Sequence, residues 1–91
     1  MSYGYEWDER KRTSNYAKHG VDFPLAARVF DDVFAIGYED DHPDEVRLIQ
    51  IGMVDEVILF VVFTERGDTV RLISARRATK HEQDAYYRRQ R

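Results

Sequence analysis

The chain has no cysteine, only two prolines and five glycines, and a single tryptophan. Without cysteine there is no disulfide, no thiolate nucleophile and no cysteine-ligated zinc. The glycines (Gly4, Gly20, Gly37, Gly52 and Gly67) are scattered, which excludes a dinucleotide fingerprint and a P-loop. No serine stands in a nucleophile-elbow setting. The longest apolar run, residues 57–63, is far short of the roughly 20 residues that span a bilayer. The opening residues contain no apolar core of the kind a secretion signal needs. The expectation is a soluble, cytoplasmic protein that meets no membrane.

The 91 residues are enough for one small domain, taken as 1–91. The net charge of −3 hides a strong segregation. Residues 31–56 carry Asp31, Asp32, Glu39, Asp40, Asp41, Asp44, Glu45, Asp55 and Glu56 against Arg47 alone, whereas residues 64–91 carry eight basic and four acidic side chains. Such a division predicts one surface that attracts a polyanion and one that repels it or holds a basic partner.

Along the chain, Asp8 reads as the N-cap of a helix that Gly20 ends in a left-handed conformation. Pro24 suits the first turn of a second, short helix whose apolar face is Leu25, Ala26, Val29 and Phe30. From residue 33 the period changes to that of strands: 33–38, 46–52, 57–63 and 69–75. The last two connections are too short for a parallel crossover, so antiparallel hairpins are expected. The 57–63 strand is apolar on both faces and should be central. In the 69–75 strand, Val70, Leu72 and Ser74 should face one side, with Arg71, Ile73 and Ala75 on the other. Thr79 and Glu82 form a capping-box signature for a last helix. The expected fold is α+β, with two N-terminal helices, a four-stranded antiparallel sheet and a C-terminal helix; a further short strand at 5–7 would fit.

The candidate chemistry is the cation cluster Arg66, Arg71, Arg76, Arg77 and Lys80. Arginine's planar fork holds phosphate with two hydrogen bonds and stays charged at physiological pH. The plain alternative is that strand arginines pair with cross-strand carboxylates and cover apolar surface with their stems. Glu65 and Arg66 are expected in the hairpin turn. Arg76 should then pair toward the far end of the preceding strand, so the sequence alone does not make Arg66 and Arg76 neighbours, though a twisted, concave sheet could point both into one bowl. Lys18 and His19 fall in the last turn of the first helix, where cations are favoured by the helix dipole. A metal site at Asp41, His42 and Asp44 is conceivable, although the loop lacks calcium-loop spacing.

Several segments together resemble the BrnT family of toxins from type II toxin–antitoxin systems. They are Trp7-Asp8-Glu9, Asn15, Lys18-His19-Gly20-Val21, Phe23, Ala26, Val29-Phe30 with Asp32, Glu65-Arg66-Gly67, Arg71, the Ile73–Thr79 segment "ISARRAT" and Glu82. Val33 departs from the proline usual in that family after the aspartate. The resemblance implies a RelE-like fold and a toxin that cleaves RNA without a metal or other cofactor and arrests translation. It also implies a BrnA-type antitoxin that holds the toxin inactive, with operator DNA reached only through that antitoxin. Transferred onto this chain, the resemblance makes Lys18, His19, Glu65, Arg66 and Arg76 the expected catalytic set. Arg66 and Arg76 would bind the transition-state phosphate, and Glu65 or His19 would move the proton of a 2′-OH. Arg71, Arg77, Lys80 and Tyr86 are expected to contact RNA, with Tyr86 or its neighbour Tyr87 offering a ring to a base. The competing expectations are an inactive module that serves only as antitoxin partner and corepressor, and a metal-dependent nuclease.

Overall fold

The computed structural model describes residues 4–90. Its elements are β1 Gly4–Glu6, α1 Glu9–His19, α2 Phe23–Ala26 running into a 3-10 helix Ala27–Asp31, β2 Ile36–Asp40, β3 Arg47–Val54, β4 Val57–Arg66, β5 Thr69–Arg77 and α3 Lys80–Arg88. The strands form one five-stranded sheet in the order β1-β5-β4-β3-β2. The expected four antiparallel strands are β2 to β5, and β4 is central as its apolar character requires. The added strand, β1, runs parallel to β5, so the sheet is mixed rather than wholly antiparallel.

The local signals act as the chain chemistry dictates. Asp8 accepts hydrogen bonds from the backbone N–H groups of Arg10 and Lys11, and Gly20 closes α1 at φ 71°. Asp22 caps α2 and also takes a two-pronged bond from Arg12, at 2.8 and 2.9 Å, which ties α1 to α2. The β3–β4 turn is two residues, Asp55 and Glu56, both at positive φ as a tight hairpin requires. Arg28 braces it through two 3.0 Å bonds to Asp55. At the β4–β5 hairpin the turn is narrower than expected. Glu65 and Arg66 are the last residues of β4, paired with Val70 and Thr69, not turn residues.

α2, the 3-10 helix and Val21 close one face of the sheet. There Phe23, Ala26 and Val29 pack fully buried against Leu59, Val61, Leu72 and Ala75. Gly52 lets the 3-10 helix approach β3, since a Cβ there would meet Val29 O and Cβ at 3.2 and 3.3 Å. β1 pairs with β5 only as far as Arg71, leaving the rest of that edge open. α1 covers it, and the buried Asn15 amide acts as a strand would: Asn15 Nδ2 donates to Ala75 O (2.8 Å) and to Val21 O (3.0 Å), while Ala75 N donates to Asn15 Oδ1 (3.1 Å).

The other face is covered only in part. α3 brings Tyr86 onto Ile49, Ile51 and Ile58. Its capping box forms as expected, with Glu82 N donating to Thr79 Oγ1 and Thr79 N donating to Glu82 Oε1. One expectation about β5 is corrected. The register shifts between Val62 and Phe63, so Leu72 and Ala75, three residues apart, share the α2 face. Only a bulge at Ile73 and Ser74 allows that. Ala75 is therefore buried beside Val70 and Leu72, and Arg71, Ile73 and Arg76 share the α3 face.

Candidate functional site

Alternation along the strands assigns the polar side chains of the α3 face. From β3 it takes Arg47, from β4 Thr64 and Arg66, and from β5 Arg71 and Arg76. Register then orders them. Arg76 lies opposite Phe60, Thr64 opposite Arg71, and Arg66 opposite Thr69. Arg66 and Arg76 are therefore not brought together. Six residues of β4 separate their rows, roughly 20 Å at strand rise. Glu65 alternates onto the opposite face, with Val61 and Phe63.

At the α3 end, Arg76 lies with its guanidinium 4.0 Å from the centre of the Phe60 ring. Its Nη1 and Nη2 donate to the two oxygens of Glu82 at 2.8 and 2.9 Å, and Nη1 also reaches Arg77 O. The bond from Arg76 holds the Glu82 carboxyl below its ordinary range, against the cost of burial, with help from Thr79 N. The Arg76 guanidinium is correspondingly raised by Glu82. The Tyr38 hydroxyl faces the pair, and burial together with the Glu82 charge pushes its pKa up. Arg77 is exposed beyond Arg76, and Lys80 is exposed and bonded to Asp84 at 2.7 Å.

Lys18 and His19 are exposed in the last turn of α1, as expected. With Arg10, Lys11, Ile73 and Ser74 they line an open groove of about 460 Å³. Among the described residues no carboxylate lines it. The bulge turns Ser74 toward this groove, so the cations of α1 adjoin the β5 edge between Arg71 and Arg76. A second depression of the same volume, about 460 Å³, lies against the β3–β4 turn and α3. It is lined by Asp31, Asp32, Asp55 and Glu56, so its charge disfavours a polyanion.

Tyr86 does not offer its ring to a base. It is 3% exposed, its ring in the core, and its hydroxyl donates to Asp32 Oδ2 at 2.6 Å. Burial, then that bond, pushes its pKa up to about 12. Asp32 also accepts from the backbone N–H groups of Met53 and Phe34. Burial opposes its charge, but these three donors outweigh it and hold the carboxyl below its usual range. Tyr87, next in the chain, is half exposed and edge-on to Tyr86.

Asp41, His42 and Asp44 lie in the loop between β2 and β3, where Asp44 N donates to His42 Nδ1. Among the described residues no three His, Asp or Glu side chains assemble into a metal-binding group. Nor is any described helix long and apolar enough to cross a membrane. Sequence reasoning missed Phe60, Tyr38, Arg47 and Thr64 as parts of this face. Glu82 was visible as a helix cap and as a residue of the family pattern, but not as the partner of Arg76.

The ribonuclease toxin model, BrnT, of type II toxin–antitoxin systems matches residues 7–82. The chain belongs to that family. The match spans the elements from the approach to α1 as far as Glu82, so both cationic regions and the Arg76–Glu82 pair lie inside it. The family is one of ribonuclease toxins, and the α+β fold with helices on both sides of a mixed sheet agrees with it. No curated protein sequence matches the chain.

Proposed function

We propose that this toxin is a metal-independent endoribonuclease that lays RNA along the α3 face of the sheet and beside the α1 groove. The observation that carries the reading is the edge of β5 from Arg71 past Ser74 to Arg76, cationic at both ends. Lys18 and His19 flank it in a groove without carboxylates. In this reading the ribose 2′-oxygen attacks the adjacent phosphorus and its proton passes to His19 or Lys18. The bond to the 5′-oxygen breaks, that oxygen takes a proton from the other of these two side chains or from water, and a 2′,3′-cyclic phosphate remains. Arg76, already fixed by Glu82 and Phe60, stabilises the developing phosphate charge without reordering. Arg77 and Lys80 supply long-range attraction. Arg66 serves a different phosphate from Arg76, and Glu65, on the far face, is the weakest member of the expected catalytic set. A BrnA-type antitoxin is the partner, and the acidic 31–56 stretch is the surface proposed to meet its basic side chains.

Arg76→Ala alone is a poor test, because it strands the Glu82 carboxylate, which is only 17% exposed. The cost would be about 1–2 kcal/mol, discounted for the one-third exposure of Arg76. The double variant Arg76→Gln/Glu82→Gln keeps two hydrogen-bonding amides and removes both charges. Incubated with total RNA in excess EDTA, wild type should yield fragments ending in cyclic phosphate. The double variant should cut at least 100-fold more slowly, the scale of one lost transition-state donor. Equal cutting by both would remove Arg76 from the mechanism. The reading as an inactive antitoxin partner draws on the occupied fork of Arg76; RNA bound but left uncut, also in a translating extract, would favour it.

A further inference from the structure

Thr64 poses a problem that the cleavage reading leaves unsolved. It is 8% exposed, and its Oγ1 is buried without a hydrogen-bond partner in the described structure. A buried hydroxyl left unpaired costs about 1–3 kcal/mol, and the isosteric valine would avoid that cost. The neighbours on β4, Val61, Val62 and Phe63, are apolar, so packing alone would favour valine here too. The hydroxyl is therefore expensive where it stands, and its surroundings say what it waits for.

Thr64 sits in the middle of the sheet between two arginines on the same face. Arg71 is its partner on β5, and Arg47 follows in register from the Leu48–Phe63 pair on β3. Adjacent strands lie about 4.8 Å apart, so the two arginines leave the backbone at nearly equal distance on either side of Thr64. Each arginine is tethered on its outer side: Arg47 to Glu45 at 2.7 Å, Arg71 to Glu6 at 3.5 Å. Each guanidinium has further N–H donors beyond that single pairing. Arg66, two residues on from Thr64, lies diagonally from Arg71, about 7–8 Å away at the backbone, and is exposed. Three cations thus surround one buried, unsatisfied hydroxyl.

We propose that Thr64, with Arg47, Arg66 and Arg71 around it, is a seat for one phosphodiester of single-stranded RNA, remote from the scission point. On binding, the arginine side chains part, the Thr64 hydroxyl donates to the anion beside two or three guanidinium N–H groups, and the cost of the unpaired buried hydroxyl is removed. The seat lies four residues of β4 from the Arg76 row, about 13 Å, so it holds a neighbouring part of the same strand and sets its register. This rests on the reading of the α3 face as the RNA path and assigns Arg66 and Arg71 a positioning role.

The test uses a 2′-O-methyl oligoribonucleotide, which cannot be cut by 2′-OH attack, with binding read by fluorescence anisotropy across a salt series. Thr64→Val should melt higher than wild type yet bind about tenfold more weakly, the worth of one hydrogen bond to a charged group. Thr64→Ser should bind like wild type. Arg71→Gln should flatten the salt dependence by nearly one ion. Thr64→Val binding as tightly as wild type overturns the seat, as does Thr64→Val melting lower, which would reveal a role for the hydroxyl inside the fold. Wild type that fails to bind the oligonucleotide overturns it as well. A site saturated by millimolar inorganic phosphate, with no competition against the oligonucleotide, would make it a free-anion site and remove RNA. Loss of the seat with the Arg76/Glu82 cleavage result intact would leave the proposed function standing, so the two fail separately.

Discussion

The two faces of the sheet are built to different ends. On one, α2 and the 3-10 helix seal Leu59, Val61, Leu72 and Ala75 under Phe23, Ala26 and Val29, and the contact is apolar throughout. On the other, α3 covers only the end near Ile51 and Ile58, and the rows beyond it carry Arg47, Arg66 and Arg71 around the buried Thr64. The sealed face holds most of the fully buried side chains, so it supplies most of the hydrophobic stabilisation. The open face carries an unpaired hydroxyl and several cations, which cost stability unless something binds. Substitutions on the sealed side should therefore act on melting, and those on the open side on RNA. Thr64→Val is the sharpest open-side case, since it should gain the one and lose the other.

The largest effect on stability is expected where α1 seals the β5 edge. Asn15→Leu removes three hydrogen bonds and leaves the N–H and C=O of Ala75 buried and unpaired. At about 1–3 kcal/mol for each of the two Ala75 groups, the loss should be about 2–6 kcal/mol, a large part of the stability of so small a domain. Urea denaturation measures it through the midpoint. An unchanged midpoint would mean that the β5 edge needs no closure and that α1 is there only for Lys18 and His19.

How much of this was legible follows the range of the interactions. Signals confined to a few residues read directly: the Asp8 cap, Gly20 closing α1, Pro24 opening α2, and the Thr79–Glu82 box. The central place of the 57–63 strand followed from its apolar character on both faces. The bulge at Ile73 and Ser74 was hidden, because it is set by pairing across to Val62 and Phe63, and a period-two reading of β5 put Ala75 on the wrong face. Tyr86 looked like an accessible aromatic because its partner Asp32 is 54 residues away in the chain. The same distance problem applies to the candidate site. The basic segment was plain, but that Arg76 would face Glu82 and Arg66 would stand at the other end of the ladder depends on register alone. Thr64 showed only as a polar residue following an apolar run.

A smaller effect is expected at the joint between α3 and the rest, and its pH dependence gives it away. Tyr86→Phe removes a bond to a carboxylate and should cost about 1.5–3 kcal/mol near neutral pH. In the fold the Tyr86 pKa is pushed up to about 12, from about 10 in an unfolded chain. The raised value means that the neutral hydroxyl is favoured in the folded state. Its contribution is complete below about pH 10 and is lost as pH rises through about 12. Asp32 works the other way: its lowered pKa stabilises the fold above the usual carboxylate range and is lost as pH falls below it. The difference in melting between wild type and Tyr86→Phe should therefore be steady from pH 6 to 9 and shrink between about 10 and 12. A difference that persists unchanged beyond pH 12 would detach Tyr86 from Asp32.

The smallest effect, and the one that discriminates most finely between the two faces, is expected at Gly20. It sits at φ 71°, with nothing within 4 Å of where a Cβ would be, so Gly20→Ala meets no clash and pays only for the left-handed backbone, about 1 kcal/mol. Gly20→Asn, better tolerated in that conformation, should lose less. Both variants leave the sealed core untouched but act on the turn that fixes His19 and Lys18. If those side chains only cap α1, cutting per folded molecule should match wild type in both variants. If they move the 2′-OH proton, cutting should fall more in Gly20→Ala than its small loss of stability explains, and Gly20→Asn should recover most of it. Melting and single-turnover cleavage measured on the same samples decide between a helix end that is structural and one that belongs to the active face.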